Sequence, residues 1–172
     1  MVTTLQGGGR TEPDAEPESA SEDFTEMRRR RAELLESINA LEQALAAPGQ
    51  QMRWVERVSV ALLELTGDFR DHVELTEGPV GLYSRVLRTS PRLAHEVDRL
   101  TLEHVKLAQL VEELLAVVGQ GAKTSEPHEK LLDDPTKIRE RGTKLLGALV
   151  RHRQRGADLM YEAYSVDIGG QD

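Results

Sequence analysis

An all-α fold, an up-down-up-down four-helix bundle behind a disordered N-terminal tail, follows from three observations. Apolar residues recur at steps of three and four along four separate long stretches. The breakers Pro48-Gly49, Gly78-Pro79 and the polar stretch from Gly119 to Pro135 separate them. The composition is that of helices: Leu, Ala, Glu and Arg dominate, whereas Phe occurs twice and Trp once, so a sheet is poorly supported. A chain of 172 residues, 38% hydrophobic and 30% charged, suits one domain with unstructured ends.

Residues 1–22 are rich in Gly, Pro, Ser, Asp and Glu without apolar periodicity, and are expected to be a disordered acidic tail. The bundle is expected over 23–166. Its first helix starts near Ser21 to Asp23, where acidic residues suit a helix start, and carries the stripe Met27, Arg31, Leu34, Ile38, Leu41 and Leu45. The second runs from about Gln51 to Glu77. Residues 80–88 form a short amphipathic connector with Leu82, Tyr83, Val86 and Leu87. Pro91 then sits where a first helical turn tolerates proline, and the third helix runs to about Val118. The fourth starts near Asp134-Pro135, carries Ile138, Leu145, Leu149, His152 and Met160, and continues to about Tyr164. Tyr161 and Tyr164 share one face and are expected to pack over the bundle end. Residues 167–172 form a flexible C-terminal tail.

Charge and residue usage exclude several classes. The net charge of −8 argues against a nucleic-acid binder, which shows a basic footprint. Without cysteine there is no disulfide, thiolate zinc site or thiol nucleophile. The N-terminus does not read as a signal peptide, and no apolar run reaches the ~18 residues of a membrane span. The expectation is a cytoplasmic protein without a membrane partner. No catalytic residues stand out: Ser165 lacks an upstream glycine elbow, and there is no His-Glu-x-x-His motif. Arg28 to Arg31 read as a solvated face in so acidic a chain.

The histidines carry the chemistry. Of five, three fall on apolar stripes. His72 follows Trp54, Val58, Ala61, Leu65 and Phe69. His104 sits among Leu93, Val97, Leu100, Leu107 and Val111, and His152 continues Leu145 and Leu149. Each imidazole should point with its leucines, into the core. A buried polar ring left unpaired costs about 1–3 kcal/mol. The partner is a carboxylate, a backbone carbonyl, a water or a metal ion. In an antiparallel hairpin, residues equally far from the turn share a height. His104 and His152 are symmetric about residue 128 and should share a layer. Reflecting His72 about residue 49 gives Glu26, which can reach His72 or pair with Arg30 one turn on; the second needs no tertiary contact and is favoured. Arg30 or Arg31 falls near the same level. His95 lies off the Val97 stripe and His128 in a polar loop, so both should be exposed.

This constellation resembles a hemerythrin-like, or HHE cation-binding, domain over about residues 22–165. That family is a bundle of two helical hairpins, each with a histidine on its first helix and a histidine followed by a carboxylate on its second. Asp71-His72-Val73-Glu74-Leu75-Thr76-Glu77, followed by Gly78-Pro79, resembles the histidine-carboxylate element. Leu102-Glu103-His104-Val105-Lys106-Leu107 resembles the Glu-His element of the third helix, and Arg151-His152 with Asp158 downstream resembles the last. The resemblance implies a site for non-haem iron or another divalent metal, with His72, His104 and His152 as nitrogen ligands and Glu77 and Asp158 as carboxylates. It implies a role in binding oxygen or nitric oxide, or in redox-related sensing.

The ligand set departs from the family pattern. The first-helix histidine is absent, its region reading Glu26-Met27-Arg28-Arg29-Arg30-Arg31. Thr76, not a carboxylate, stands four residues after His72. The fourth residue after His152 is Gly156, and Asp158, the sixth, is rotated about 240° from it on an ideal helix. The alternative reading is therefore a metal-free interaction or regulatory module that keeps the fold and binds a protein partner, with the histidines bonded to Glu26, Glu77, Glu103 or backbone. In it, a guanidinium from Arg30 or Arg31 takes the place of the ion and pairs with Glu77 across the bundle.

Overall fold

The computed structural model describes residues 16–48, 51–122 and 135–165. Among them the regular structure is helical: α1 (Glu16–Ala46), α2 (Gln51–Glu77), α3 (Leu82–Thr89), a 3-10 turn (Pro91–Leu93), α4 (Ala94–Ala122) and α5 (Pro135–Ser165). The four long helices close a bundle in which α1 packs on α2, α2 on α4, α4 on α5, and α5 back on α1. No helix among the described residues is long and apolar enough to cross a membrane.

The stripes read from the sequence are the buried faces. Met27, Leu34, Ile38, Leu41 and Leu45 face inward on α1, as do Trp54, Val58, Ala61, Leu65 and Phe69 on α2. Each fully buried Leu or Val contributes about 1.5–3 kcal/mol relative to exposure. Trp54 ties three helices together. It packs from α2, its indole N–H donates to the Ala44 carbonyl of α1 at 2.9 Å, and Arg139 of α5 lies 4.6 Å from its ring centroid.

Several boundaries and faces differ from the sequence reading. α1 begins at Glu16 rather than near Ser21. The expected tail thus loses residues 16–22 to the helix. The rest of that tail, most of the loop around His128 and the C-terminal tail lie outside the described residues. α4 runs on through Gly119 and Gly121 to Ala122, since a glycine weakens a helix by about 1 kcal/mol without ending it. The connector is a two-turn helix, α3, whose Leu82, Tyr83 and Val86 are buried. On α5, Leu159 is buried and Met160 only partly so; seven residues after His152 are two turns, so Leu159 returns to the inward face. Ala163 continues that face. Tyr161 and Tyr164 are therefore exposed, at 74% and 42%, rather than packed over the bundle end.

The core is divided into two clusters. One gathers Leu34 to Leu45, Trp54 to Phe69, Leu107 to Val118 and Ile138 to Leu149. The other gathers Met27, Leu82, Tyr83, Val86, Leu93, Val97, Leu100, Leu159 and Ala163. On each long helix the change of cluster falls at one place, and those places hold Arg31, His72, His104 and His152. A polar layer thus crosses the bundle between two apolar blocks.

Candidate metal centre

The three stripe histidines meet in that layer. His72 comes from α2, His104 from α4 and His152 from α5, and one ring nitrogen of each lies within 4.8 Å of the other two. His104 Nε2 is 3.0 Å from His152 Nε2, and His72 Nε2 is 3.3 Å from the same atom. Imidazole nitrogens 2.0–2.1 Å from a tetrahedral ion lie about 3.3–3.4 Å from one another, so the spacing is close to that of a ligand set. His104 and His152 are each 3% exposed, and His72 is partly buried.

Carboxylates fix the tautomers of two rings. Glu103 of α4 receives a hydrogen bond from His152 Nδ1 at 3.1 Å and is also held by Arg155. Glu77, at the end of α2, is bonded to His104 Nδ1. An ionised carboxylate only accepts, so each of these Nδ1 atoms carries the proton and each Nε2 presents a lone pair. Those two lone pairs face each other at 3.0 Å. A hydrogen from His72 Nε2 can satisfy His152, but the His104 lone pair still needs a positive centre. A fourth proton is opposed by burial, which pushes the pKa of His72 and His104 down to about 3 and lowers that of His152 as well. Neutral imidazoles with converging Nε2 atoms and carboxylate-bound Nδ1 atoms are the arrangement in which histidine binds a metal ion. The donor set fits such an ion.

Aromatic rings wall the layer. Tyr83 of α3 stacks on His104 with centroids 6.0 Å apart and an 11° interplanar angle, while Phe69 meets the same ring edge-on at 5.9 Å. The fourth side opens into a cavity of 160 Å³ bordered by His72, His152, Thr76, Gly156, Arg31 and Arg153 among others. Thr76 and Gly156 stand one turn after His72 and His152, on the same helix faces. Thr76 is 4% exposed and its hydroxyl donates to the His72 carbonyl at 2.8 Å. A Cβ built on Gly156 meets nothing within 4 Å.

The other residues singled out from sequence fall as follows. Glu77 reaches His104 rather than His72, because the fifth residue after His72 is rotated about 140° from it and faces α4. The proposed pairing of Glu77 with Arg30 or Arg31 does not form. Arg30 is held by Glu26 at 2.7 Å and by Asp71, so Glu26 takes the local partner as expected. Asp158 is exposed and accepts from Gln154 at 2.9 Å, outside the cluster. His95 is exposed, and His128 lies outside the described residues. The specific pairings of Glu103 and Arg155, and the Tyr83 wall, were not read from the sequence. Glu77 and Glu103 were among the carboxylates read as possible partners of the histidines, but without a pairing. No protein-family model matches the chain, and neither a curated protein nor a solved structure matches it.

Proposed function

We propose that this protein is a metal-binding helical bundle of hemerythrin-like type, holding one divalent transition-metal ion through the Nε2 atoms of His72, His104 and His152. The observation that carries the reading is the pair of lone-pair-bearing nitrogens, His104 and His152 Nε2, 3.0 Å apart with their Nδ1 atoms bound to Glu77 and Glu103. Three neutral imidazoles suit iron(II) or zinc. Three ligands hold one ion and leave a position open toward the cavity; a second ion would need donors that Thr76 and Gly156 do not supply. In this reading Glu77 supports a ligand instead of being one, and Asp158 has no part. A diatomic ligand such as dioxygen or nitric oxide has its place in the same cavity. The metal-free interaction module is the rival reading, and what favours it is Arg31, a positive group at α1's corner of the layer.

Metal analysis of the full chain decides between them. Loaded anaerobically with iron(II) or zinc and freed of excess, the wild type is expected to retain one ion per chain. His104→Ala and His152→Ala should retain none, while His95→Ala retains the full amount. A wild type that takes up no ion would leave the metal-free module standing.

A further inference from the structure

The side of the layer that opens to the cavity has an unusual balance of charge. Among the described residues no acidic one lines that cavity, but two arginines do, Arg31 from α1 and Arg153 from α5. Both are exposed residues, and among the described residues neither has a carboxylate partner, whereas Arg29, Arg30 and Arg155 do. Arg31 feels the charge of Arg153, besides its partial burial. Glu77 and Glu103 offset the two charges of a bound divalent ion, and Arg31, Arg153 and Arg155 are then in excess. The side-chain positions that would project a carboxylate into this space, one turn after His72 and His152, carry a threonine and a glycine. The cavity is small, 160 Å³ against the roughly 300–1000 Å³ of pockets for larger organic ligands.

We infer that this cavity binds a small carboxylate, such as acetate or formate, as an exogenous ligand to the metal held by His72, His104 and His152, with Arg31 and Arg153 as its recognition groups. The inference rests on the metal reading above. A carboxylate supplies the oxygen donor that Thr76 and Gly156 withhold, and planar guanidiniums match its two oxygens. The apolar wall made by Leu82 and Leu159 limits the ligand to a short chain.

The test uses the full-length protein loaded with cobalt(II), whose visible spectrum reports the ligands around the ion. Acetate is expected to change the wild-type spectrum saturably, and acetamide, its uncharged analogue, should leave it unchanged at the same concentration. The double variant Arg31→Met/Arg153→Met should bind cobalt as before but require at least tenfold more acetate. Gly156→Glu should show an altered spectrum without acetate and no further response to it, because its own carboxylate occupies the cavity. An unresponsive wild type, an equal response to acetamide, or a double variant that titrates like the wild type would overturn the inference while leaving the metal site in place. Failure of the wild type to bind cobalt would overturn both.

Discussion

Glu103 accepts from two donors, the Nδ1–H of neutral His152 and the guanidinium of Arg155. Its charge makes His152 a better electron-pair donor and fixes the ring's rotation. Removing that charge while keeping the shape tests the role: Glu103→Gln should weaken metal affinity about 10–100-fold, measured by competition with a chelator, with little change in helix content. The histidines themselves predict a pH dependence for the metal-free protein. Burial holds His72 and His104 at about 3 in the fold, against an ordinary value of 6.5. Between those values the unfolded chain binds more protons, so stability is full above pH 6.5 and falls as pH drops toward 3. Each pH unit in that window costs up to about 1.4 kcal/mol per histidine. The urea midpoint of chelator-treated protein should decline from pH 7 to pH 5, and His104→Leu should flatten the decline. A midpoint constant over that range would contradict the assignment. The three histidines were legible in the sequence because a stripe fixes a direction. Which of the candidate carboxylates each would meet was not, because Glu103 and Glu77 lie beside the stripes and what they meet depends on how neighbouring helices are rotated.

α5 shows the same division at the scale of one element. Its course from Pro135, its inward face through Ile138, Leu145, Leu149 and His152, and its end near Tyr164 follow from periodicity and breakers. What periodicity does not reveal is which glycine is there for packing. Gly142 faces α1, where a Cβ would stand 2.4 Å from Leu45 Cδ1, and Leu45 is a core residue. Gly156 faces open space. Both lie inside a helix, where alanine gains about 0.5–1 kcal/mol over glycine. Gly156→Ala should therefore raise stability by about that amount. Gly142→Ala sets the same gain against overpacking of about 1–3 kcal/mol, and a net loss of about 1 kcal/mol is expected. Chemical denaturation of the two variants checks this, and equal shifts of the same sign would refute the packing role of Gly142. The tyrosines of the last turns failed as packing residues for a related reason: Leu159 and Ala163 already hold the inward direction there.

Across the whole molecule the histidine layer separates two apolar clusters, and an ion in it would join α2, α4 and α5. The four-helix architecture was legible because four stripes and their breakers leave few ways to bury four apolar faces. The division of the core was not, because it depends on which residues of different helices share a level. The coupling between layer and bundle can be measured. A ligand that binds only the folded state stabilises it by about 4.1 kcal/mol at a thousandfold excess over its dissociation constant. For a chain of this size that corresponds to a rise in Tm of roughly 8–16 °C. Calorimetry with and without zinc should show the rise in the wild type and its loss in His152→Ala. Zinc that is bound without raising Tm would show that it sits on the surface instead.

No two of the three histidines share a helix, and the contacts between them join residues 48 and 80 positions apart. The extended chain therefore offers no ready-made chelate of the kind that two histidines one turn apart would provide. Closing such long loops is entropically costly, so the ion cannot act as a nucleus around which the chain condenses. A bound ion would be captured late, by a bundle whose topology is already complete. Release would follow the reverse route: detachment of any one of α2, α4 or α5 would remove a third of the ligands at once, so the lifetime of the bound ion would report the rate at which the bundle opens.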